Sequence, residues 1–398
     1  MPILKMADLD LRGKRVLIRV DFNVPAKDGR ITDDTRIRAA LPTIENLRRR
    51  GAKVILASHL GRPKGGPDPA FTLEPVAKRV AELTGAHVEF AHDVVGPSAH
   101  AAVERLVPGE IVLLENLRFE PGETKNDDEL AKALGELADV YVNDAFGSAH
   151  RAHASTEGVT HHVPEAVAGL LLQREVTQLS AILADPARPL VAVLGGAKVT
   201  DKIAVIERFL ELADTVLIGG AMCFPFLRVQ GHSVGASMCE QEGLEPARSA
   251  LEQASSSRAT LMLPVDLGLG ERVEADAPRR ELDGVDVPDG WMGLDIGPRT
   301  AASYAEAIAA AGTVFWNGPM GVFELDAFAA GTRAVAEAVA AAPGTTVAGG
   351  GDSVAALKRF GLDGAVTHLS TGGGATLEMI EGRTLPGVEA LELAAGRQ

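Results

Sequence analysis

Short apolar runs alternate with longer amphipathic stretches along almost the whole chain. The runs are rich in β-branched residues and mostly continuous, which is typical of strands that are covered on both faces of a sheet. They predict strands at Val16–Asp21, Val54–Ser58, His87–Phe90, Ile111–Glu115, Val140–Asp144, Leu190–Leu194, Thr215–Ile218, Thr260–Val265, Thr313–Trp316, Thr346–Ala348 and Val366–Ser370. The intervening stretches predict helices, including Thr35–Arg50, Leu73–Leu83, Asp201–Leu212, Ala327–Ala341 and Asp352–Phe360.

Regular alternation of strands and helices predicts βαβ units and parallel sheets. About a dozen strands are more than one open twisted sheet usually holds, so we expect two doubly wound, Rossmann-like domains. The stretch Pro164–Asp185 predicts one long helix joining them, with proline in its first turn and a hinge at Asp185–Pro189. We therefore expect an N-terminal domain at 1–170, a connecting helix and hinge at 171–188, a C-terminal domain at 189–382 and a terminal segment at 383–398.

Length and charge narrow the class of protein. The 398 residues are enough for two or three domains with separate cores. Lys+Arg 39 against Asp+Glu 54 gives a net charge of -15, which argues against a general nucleic-acid or anionic-membrane binder. The sequence shows no signal peptide and no apolar run of membrane-spanning length, so we expect a cytoplasmic protein. The sequence has two cysteines, Cys223 and Cys239, and no Cys-x-x-Cys pair, which excludes a disulfide framework and a zinc ribbon.

The residues that follow the predicted strands differ between the two halves of the chain. In doubly wound sheets, ligands bind beyond the carboxyl ends of the strands. In the first half these ends carry charged and hydrogen-bonding residues, at Arg19–Asn23, Ser58–Arg62, Glu115–Arg118 and Asn143–His153. In the second half they carry glycines, at Gly195-Gly196, Gly219-Gly220, Gly318, Gly349–Gly351 and Gly372–Gly374.

Both kinds of strand end favour anion binding. Arginine holds carboxylates and phosphates in bidentate geometry, and glycine-rich turns before helices offer unpaired backbone amides to phosphates. A single arginine or glycine turn is commonly a surface feature, so the prediction depends on the recurrence of the pattern. Asp352, after one glycine triplet, is suited to Mg²⁺. Lys198 and Lys202, one helical turn apart after a glycine pair, are the second notable feature, because lysine is rare in this chain.

Several common catalytic motifs are missing from the sequence. It contains no P-loop, no protein-kinase signature and no Gly-x-Gly-x-x-Gly fingerprint. Gly231–Gly235 matches Gly-x-Ser-x-Gly, but Pro225, Arg228 and Gln230 precede it where a nucleophile elbow needs a buried strand. We therefore interpret this hydrolase-like match as accidental.

Five long motifs stand out along the chain, at Arg19–Pro25, Ser58–Pro63, Gly195–Ile203, Trp316–Pro319 and Ser370–Ala375. Together, over the chain from Leu11 to about Leu391, they closely resemble the motifs of phosphoglycerate kinases. The resemblance implies a monomeric glycolytic enzyme of two similar-sized α/β domains. It also implies reversible phosphoryl transfer between 1,3-bisphosphoglycerate and Mg·ADP, giving 3-phosphoglycerate and Mg·ATP, with a C-terminal segment that packs on the N-terminal domain.

The resemblance further implies roles for individual residues. The 3-phosphoglycerate site would contain Asp21, Asn23, Arg36, His59, Arg62, Arg118 and Arg151. The nucleotide site would contain Lys202, Gly293, Glu324, Gly350, Gly351, Asp352 and Ser353, with Asp352 assisting Mg²⁺ that is held mainly by the nucleotide phosphates. Arg36 and Lys198 would flank the transferring phosphoryl group, which the backbone amides of Gly351 and Gly373 would also contact.

The residue types suit this reaction, although another class of function remains open. The acceptor carboxylate is ionised at neutral pH, so no general base is required, and alignment and charge stabilisation remain as the tasks. A two-domain binding protein for anionic metabolites, without turnover, is the alternative. Lys198 and Asp352 favour the enzyme, because simple capture needs neither a charge at the transfer point nor a metal carboxylate. A nucleic-acid binder is less favoured, because basic and aromatic residues do not interleave.

Overall fold

The structure is a computed structural model that describes residues 6–27, 29–64 and 66–396. Positions 1–5, 28 and 65 of the predicted N-terminal domain, and positions 397–398 of the predicted terminal segment, lie outside the described residues. Contacts divide the chain into unit 1, up to Thr177 together with the segment from Arg383, and unit 2, from Gln178 to Gly382. Each unit contains its own parallel sheet, so the predicted class of two doubly wound domains is confirmed.

Unit 1 contains a parallel sheet with helices between its strands. The strands of unit 1 are β1 (Arg15–Arg19), β2 (Ala26–Lys27), β3 (Arg30–Ile31), β4 (Lys53–Ala57), β5 (Val88–Phe90), β6 (Ile111–Leu113), β7 (Val140–Asn143) and β8 (Glu165–Ala168). Of these, β2 and β3 form a separate antiparallel pair. The helices of unit 1 are α1 (Thr35–Arg49), α2 (Glu74–Thr84), α3 (Pro97–Arg105) and α4 (Asp128–Glu136), and α5 (Leu170–Ala184) leads into unit 2. In the sheet order β5-β6-β4-β1-β7-β8, the strands β4, β5 and β6 lie on one side of β1, and β7 and β8 lie on the other. Doubly wound sheets bind their ligands at such a change of side.

The core of unit 1 lies against both faces of this sheet. Val16 and Ile18 of β1 lie on one face, in the same apolar cluster as Ile37 and Ile44 of α1, whereas Leu17, which points to the other face, is buried as well. The continuous apolar character of the strands follows from this two-sided burial. It is also why the pattern located the strands of the sheet interior correctly.

The prediction of one helix over Pro164–Asp185 is wrong. Glu165–Ala168 forms β8, which pairs in parallel with β7, and the helix begins only at Leu170. Sheet pairing and burial of three of the four β8 residues outweigh the helical pattern. Gly169 lies between the two elements. The position needs glycine, because a Cβ there would lie 2.1 Å from the Asp144 side chain.

Unit 2 repeats the architecture with one addition. Its strands are β9 (Leu190–Leu194), β10 (Thr215–Ile218), β11 (Thr260–Met262), β12 (Leu267–Gly270), β13 (Arg280–Leu282), β14 (Met292–Ile296), β15 (Thr313–Asn317), β16 (Thr345–Gly349) and β17 (His368–Leu369). Its helices are α6 (Ile203–Leu212), α7 (Phe224–Val229), α8 (Leu244–Ser256), α9 (Pro298–Ala309), α10 (Ala330–Ala341), α11 (Gly351–Phe360) and α12 (Gly374–Ile380). The parallel sheet has the order β11-β10-β9-β15-β16-β17 and reverses between β9 and β15. The antiparallel sheet β13-β12-β14, absent from the sequence prediction, is the addition.

The last helix, α13 (Pro386–Ala395), belongs to unit 1. The Gly387 amide donates to the carbonyl oxygen of Ala149 at 2.8 Å, close to the carboxyl end of β7. A Cβ on Gly387 would lie 3.1 Å from the Ala149 backbone, so this close approach needs a small residue. The C-terminal segment is thereby fastened beside loops that carry predicted substrate residues.

The structure bears on two predictions that were made from residue spacing. Lys198 and Lys202 are not one helical turn apart, because α6 begins at Ile203 and the preceding residues form turns after β9. The Gly231–Gly235 match follows helix α7 rather than a buried strand, which supports its interpretation as accidental. In the described part of the chain, no helix is both long and apolar enough to span a membrane.

Candidate active site

The loops after β4, β6 and β7 bring three predicted substrate residues together in unit 1. Arg62, Arg118 and Arg151 all line a cavity of about 310 Å³. Nearby loops are fixed by polar contacts: Asp21 accepts a hydrogen bond from Arg36, and Asn23 Oδ1 accepts one from the Gly61 amide at 2.9 Å. Three guanidinium groups around one small cavity make a site for a carboxylate or a phosphate.

The loop after β4 can take its shape only with glycine at position 61. Gly61 has φ +60°, and a Cβ there would lie 2.3 Å from the Phe71 ring. The preceding residue, Leu60, is held on both sides by Asn116, which accepts from its amide at 3.1 Å and donates to its carbonyl at 2.8 Å. Because Arg118 also donates to the Gly61 carbonyl, the loop holding Arg62 is tied to the loop holding Arg118.

His59 lies buried close to these arginines, although it is not among the residues that line the cavity. Burial lowers its pKa well below the ordinary value, and the charges of Arg19, Arg118, Arg36 and Arg151 lower it further. Burial and the neighbouring arginines likewise lower the pKa of Arg118. The accumulated positive potential disfavours a further proton on His59 and favours an anion in the cavity.

Two buried charged residues near this site, Arg19 at a predicted strand end and Glu123, were not predicted as site residues. Arg19 and Glu123 are 1% and 0% exposed. Both are joined to Ser155, which accepts from Arg19 Nε at 2.9 Å and donates to Glu123 Oε1 at 2.7 Å. The available signal was an arginine ending an otherwise apolar strand, because such a charge is rarely buried without a partner.

In unit 2, glycine-bearing strand ends pack backbone against backbone. Gly318 after β15 has φ +97°, and a Cβ there would lie 2.2 Å from the Gly195 carbonyl oxygen after β9. Lys202 reaches the same place, donating from Nζ to the carbonyl oxygens of Gly195 at 2.6 Å and Asn317 at 3.0 Å. Desolvation lowers the pKa of Lys202 to about 8. Lys202 is therefore an amine that can lose its proton near pH 8, and it lies between two backbone carbonyl groups.

The N-terminus of α11 adjoins these strand ends. Gly350 precedes the helix with φ +88°, and no side chain caps the first turn. Amides of a first helical turn have no carbonyl partner within the helix, so they can bind phosphate oxygens. The Ser353 hydroxyl is used internally, because it accepts from the Gly318 amide at 2.6 Å, whereas Asp352 is exposed. Gly373, with φ +52°, occupies the equivalent position before α12.

A second cavity, of about 590 Å³, lies beside this region of unit 2. Gly293, Glu324 and Asp352 line it, so three of the predicted nucleotide residues are brought together. Most of the other lining is apolar, including Phe224. Glycine is needed at position 293, because a Cβ would lie 2.4 Å from the Phe224 ring. An apolar cavity with carboxylates at its wall suits a ligand with a flat apolar part and a polar part.

Lys198 is exposed, in contrast to the half-buried Lys202. It does not line the cavity, and its ammonium pairs with Glu240 Oε1 at 2.9 Å while its side chain remains 52% exposed. Hydrogen bonding to Glu240 raises the pKa of Lys198. Thr200 donates to the other oxygen of Glu240 at 3.2 Å. Lys198 is thus charged and held by one exposed ion pair, which is weak enough to exchange for a ligand.

A bound metal ion would find few protein ligands here. Among residues 6–27, 29–64 and 66–396, no group of three or more His, Cys, Asp or Glu side chains is arranged to hold one. The exposed carboxylate of Asp352, in the first turn of α11 and at the cavity wall, is a hard oxygen ligand of the kind Mg²⁺ prefers. This arrangement fits Mg²⁺ that keeps most of its coordination from water and nucleotide phosphates.

The chain is similar to known proteins along almost its whole length. The family model described as phosphoglycerate kinase matches residues 6–383. The chain belongs to the phosphoglycerate kinase family. It is 56% identical over 391 residues to the phosphoglycerate kinase of Moorella thermoacetica, covering 98% of this chain and 99% of the relative. It is 56% identical over 384 residues to that of Rubrobacter xylanophilus, covering 96% and 97%.

Solved structures of phosphoglycerate kinases agree with this result. The enzyme from Coxiella burnetii is 42% identical and superimposes with a TM-score of 0.89, with 100% of both chains covered. The enzyme from Pyrococcus horikoshii OT3 is 35% identical, with a TM-score of 0.88 and the same coverage. The predicted family is confirmed, and the protein is a glycolytic kinase with a carboxyl group as acceptor. The alternative of a binding protein without turnover is set aside.

Proposed function

We propose that this phosphoglycerate kinase transfers a phosphoryl group reversibly, in the presence of Mg²⁺, between 1,3-bisphosphoglycerate with ADP and 3-phosphoglycerate with ATP. The pairing of an arginine-lined cavity in unit 1 with a largely apolar, carboxylate-bearing cavity in unit 2 supports this proposal. Product formation that requires ATP, 3-phosphoglycerate and Mg²⁺ together is the expected result of a coupled assay. Equal turnover in the presence of excess chelator would contradict the Mg²⁺ requirement.

In unit 1, the arginines would bind 3-phosphoglycerate and orient its carboxylate. Arg62, Arg118 and Arg151 supply fixed charges around the cavity, and each can form two parallel hydrogen bonds to an anion. Asp21 would keep the partly exposed Arg36 directed by their ion pair until substrate competes for it. The two ligands are then divided between the units, with 3-phosphoglycerate on unit 1 and the nucleotide on unit 2.

Replacement of Arg62 by alanine should weaken 3-phosphoglycerate binding about tenfold or more, because a charge-assisted bidentate contact is lost. ADP binding should stay within about twofold, since no residue of the unit 2 cavity is touched. Isothermal titration calorimetry with each ligand measures both. Arg38→Ala is the matched control, because Arg38 is also an exposed arginine but pairs with Asp34 and does not line this cavity. Weakened ADP binding with unchanged 3-phosphoglycerate binding would contradict the assignment of ligands to units.

In unit 2, the nucleotide base would occupy the apolar part of the cavity, with Glu324 available to the ribose hydroxyls. The phosphates would lie at the first turn of α11, where free amides and the Lys202 charge favour negative groups. When bound beside Asp352, Mg²⁺ would neutralise charge on the phosphate oxygens. These contacts leave the terminal phosphoryl group exposed to the acceptor.

The transfer itself would need no covalent enzyme intermediate. A carboxylate oxygen of 3-phosphoglycerate forms the new O–P bond as the bond from the γ-phosphorus to the bridging oxygen breaks, and ADP carries away the negative charge. Arg36, Lys198 and the amides of Gly351 and Gly373 would stabilise the equatorial oxygens. Since the acceptor is already ionised, positioning and charge stabilisation account for the catalysis.

Nucleotide affinity should fall as the pH rises above about 8. The pKa of Lys202 is lowered to about 8, so the ammonium that attracts phosphate is protonated below this pH and lost above it. Bound phosphate stabilises the protonated form, so the affinity falls by at most about tenfold per pH unit. ADP titrations from pH 7 to 10 with Lys202→Arg as the control measure this, because arginine stays charged. A wild-type profile as flat as that of Lys202→Arg would contradict the role of Lys202.

Closure of the two domains around both substrates is part of this proposal, as are a monomeric state and a cytoplasmic location. The acyl phosphate is sensitive to water, so exclusion of solvent should follow binding of both substrates. Small-angle scattering should therefore show a smaller radius of gyration with 3-phosphoglycerate and nucleotide together than with either alone. Full compaction by nucleotide alone would contradict joint closure.

A further inference from the structure

A buried hydrogen-bond chain in unit 1 ends on the ring of His59. Arg19 Nη2 contacts His59 Nδ1 at 3.1 Å, and each of the other two guanidinium nitrogens of Arg19 also has a hydrogen-bond partner. Nε donates to Ser155 Oγ at 2.9 Å, Nη1 donates to the carbonyl oxygen of Val20, and Nη2 also reaches Ser148 Oγ at 3.4 Å. The guanidinium is therefore fixed in one orientation beneath the substrate site.

This contact determines which nitrogen of His59 carries the proton. Arginine has only donors, so Nδ1 of His59 must accept, and the ring is neutral with its hydrogen on Nε2. A second proton on Nδ1 would point at a guanidinium, and the charges of Arg36, Arg118 and Arg151 face the same ring. His59 consequently presents Nε2–H as a neutral donor over the range in which the other tautomer or a cation would normally be populated.

Glu123 keeps Arg19 in this position. Its carboxylate accepts from Ser155 Oγ at 2.7 Å and from the Ser155 amide at 3.1 Å, and it lies 3.6 Å from His153 Nδ1. Burial by itself raises the pKa of Glu123, but the nearby His153, the Arg19 charge and the Ser155 hydrogen bonds together bring it below the ordinary value. The buried positive charge of Arg19 therefore has a buried negative counterpart, and Ser155 links the two.

We infer that Arg19, anchored through Ser155 to Glu123, is a positioning residue that locks His59 in the Nε2–H tautomer and directs this hydrogen at the substrate anion. Arg19 is nearly inaccessible to a ligand, at 1% exposure, so it acts through His59 and not by touching substrate. The binding half of this inference rests on the proposed function, whereas the tautomer can be observed without substrate.

The decisive measurement is a long-range proton–nitrogen NMR spectrum of the full-length protein without ligands, with the His59 signals assigned by their absence from His59→Gln. In the wild type, Nδ1 should be unprotonated and Nε2 protonated from pH 6 to 8. Arg19→Met should give a mixture of tautomers and a higher His59 pKa. It should also raise KM for 3-phosphoglycerate about tenfold, with kcat and the KM for ATP within about twofold of wild type.

Two further variants keep the test decisive. Arg15→Met is the matched control, because Arg15 also lies on β1 but pairs with Asp139 and not with His59. It should change neither the tautomer nor KM. If Arg19→Met does not fold, Ser155→Ala keeps both charges and removes only the link, and it should shift the tautomer in the same direction.

Three results would overturn the inference. They are a protonated Nδ1 in wild-type His59, a tautomer unchanged in both Arg19→Met and Ser155→Ala, and an altered tautomer with no change in KM for 3-phosphoglycerate. The first two concern His59 in the free protein and leave the proposed reaction intact. Absence of turnover in the wild type would instead contradict the proposed function without affecting the spectrum.

Discussion

Replacement of Lys198 by alanine is expected to lower kcat by about 10²-fold or more, the usual effect of removing a preorganised donor to transition-state charge. The ammonium would leave Glu240 only when the phosphoryl group in transfer competes for it. Because the interaction would exist mainly in the transition state, KM for both substrates should change much less than kcat.

The position of Lys198 makes this variant a clean test. Its side chain is 52% exposed and its contact with Glu240, at 2.9 Å, is a surface ion pair that contributes little to stability. The stability of the variant should therefore stay close to that of the wild type. Lys78→Ala is the matched control, because Lys78 forms a similar exposed pair with Glu74 at 2.8 Å on α2 and lines neither of the two candidate cavities.

A coupled assay at saturating substrates gives kcat for both variants, and chemical denaturation gives their stability. A kcat near the wild-type value in Lys198→Ala would remove Lys198 from the mechanism. Loss of activity together with loss of stability would point instead to a structural role for the turns after β9. Equal losses in Lys78→Ala would attribute the effect to surface charge in general.

The fold could be predicted where burial on both faces makes a strand continuously apolar. Every strand of the two sheet interiors was located in this way, to within a few residues. β8 was missed because Glu165–Ala168 continues a helical pattern, and only pairing with β7 decides between the two structures. β12 was missed because Leu267–Gly270 alternates leucine with glycine, so its burial depends on neighbours remote in sequence.

The candidate site could be predicted where the pattern recurs at several strand ends. Arg62, Arg118 and Arg151 were predicted as a group and share one cavity. The sequence could not reveal Arg19 and Glu123 as a unit, because their link through Ser155 joins residues far apart in the chain. For the same reason the sequence could not reveal the ion pair between Glu240 and Lys198, because it depends on how two loops of unit 2 pack.

Replacement of Gly318 by alanine should destabilise unit 2 by at least about 2 kcal/mol, because the left-handed backbone is strained for any other residue. The conformation at φ +97° is only part of the cost. The added Cβ would lie 2.2 Å from the Gly195 carbonyl oxygen and 2.5 Å from Lys202 Nζ, so the turn must open. That movement would separate Lys202 from its two carbonyl partners and raise KM for ADP about tenfold or more.

Fluorescence isolates the unit concerned, because both tryptophans of the chain, Trp291 and Trp316, belong to unit 2. Denaturant unfolding followed by tryptophan emission should show a lower midpoint for Gly318→Ala. Gly364→Ala is the matched control, since its added Cβ would meet no atom within 4 Å and its φ is not positive. An unchanged midpoint in Gly318→Ala would mean that the strand ends tolerate separation, and that close backbone packing is not what shapes the phosphate site.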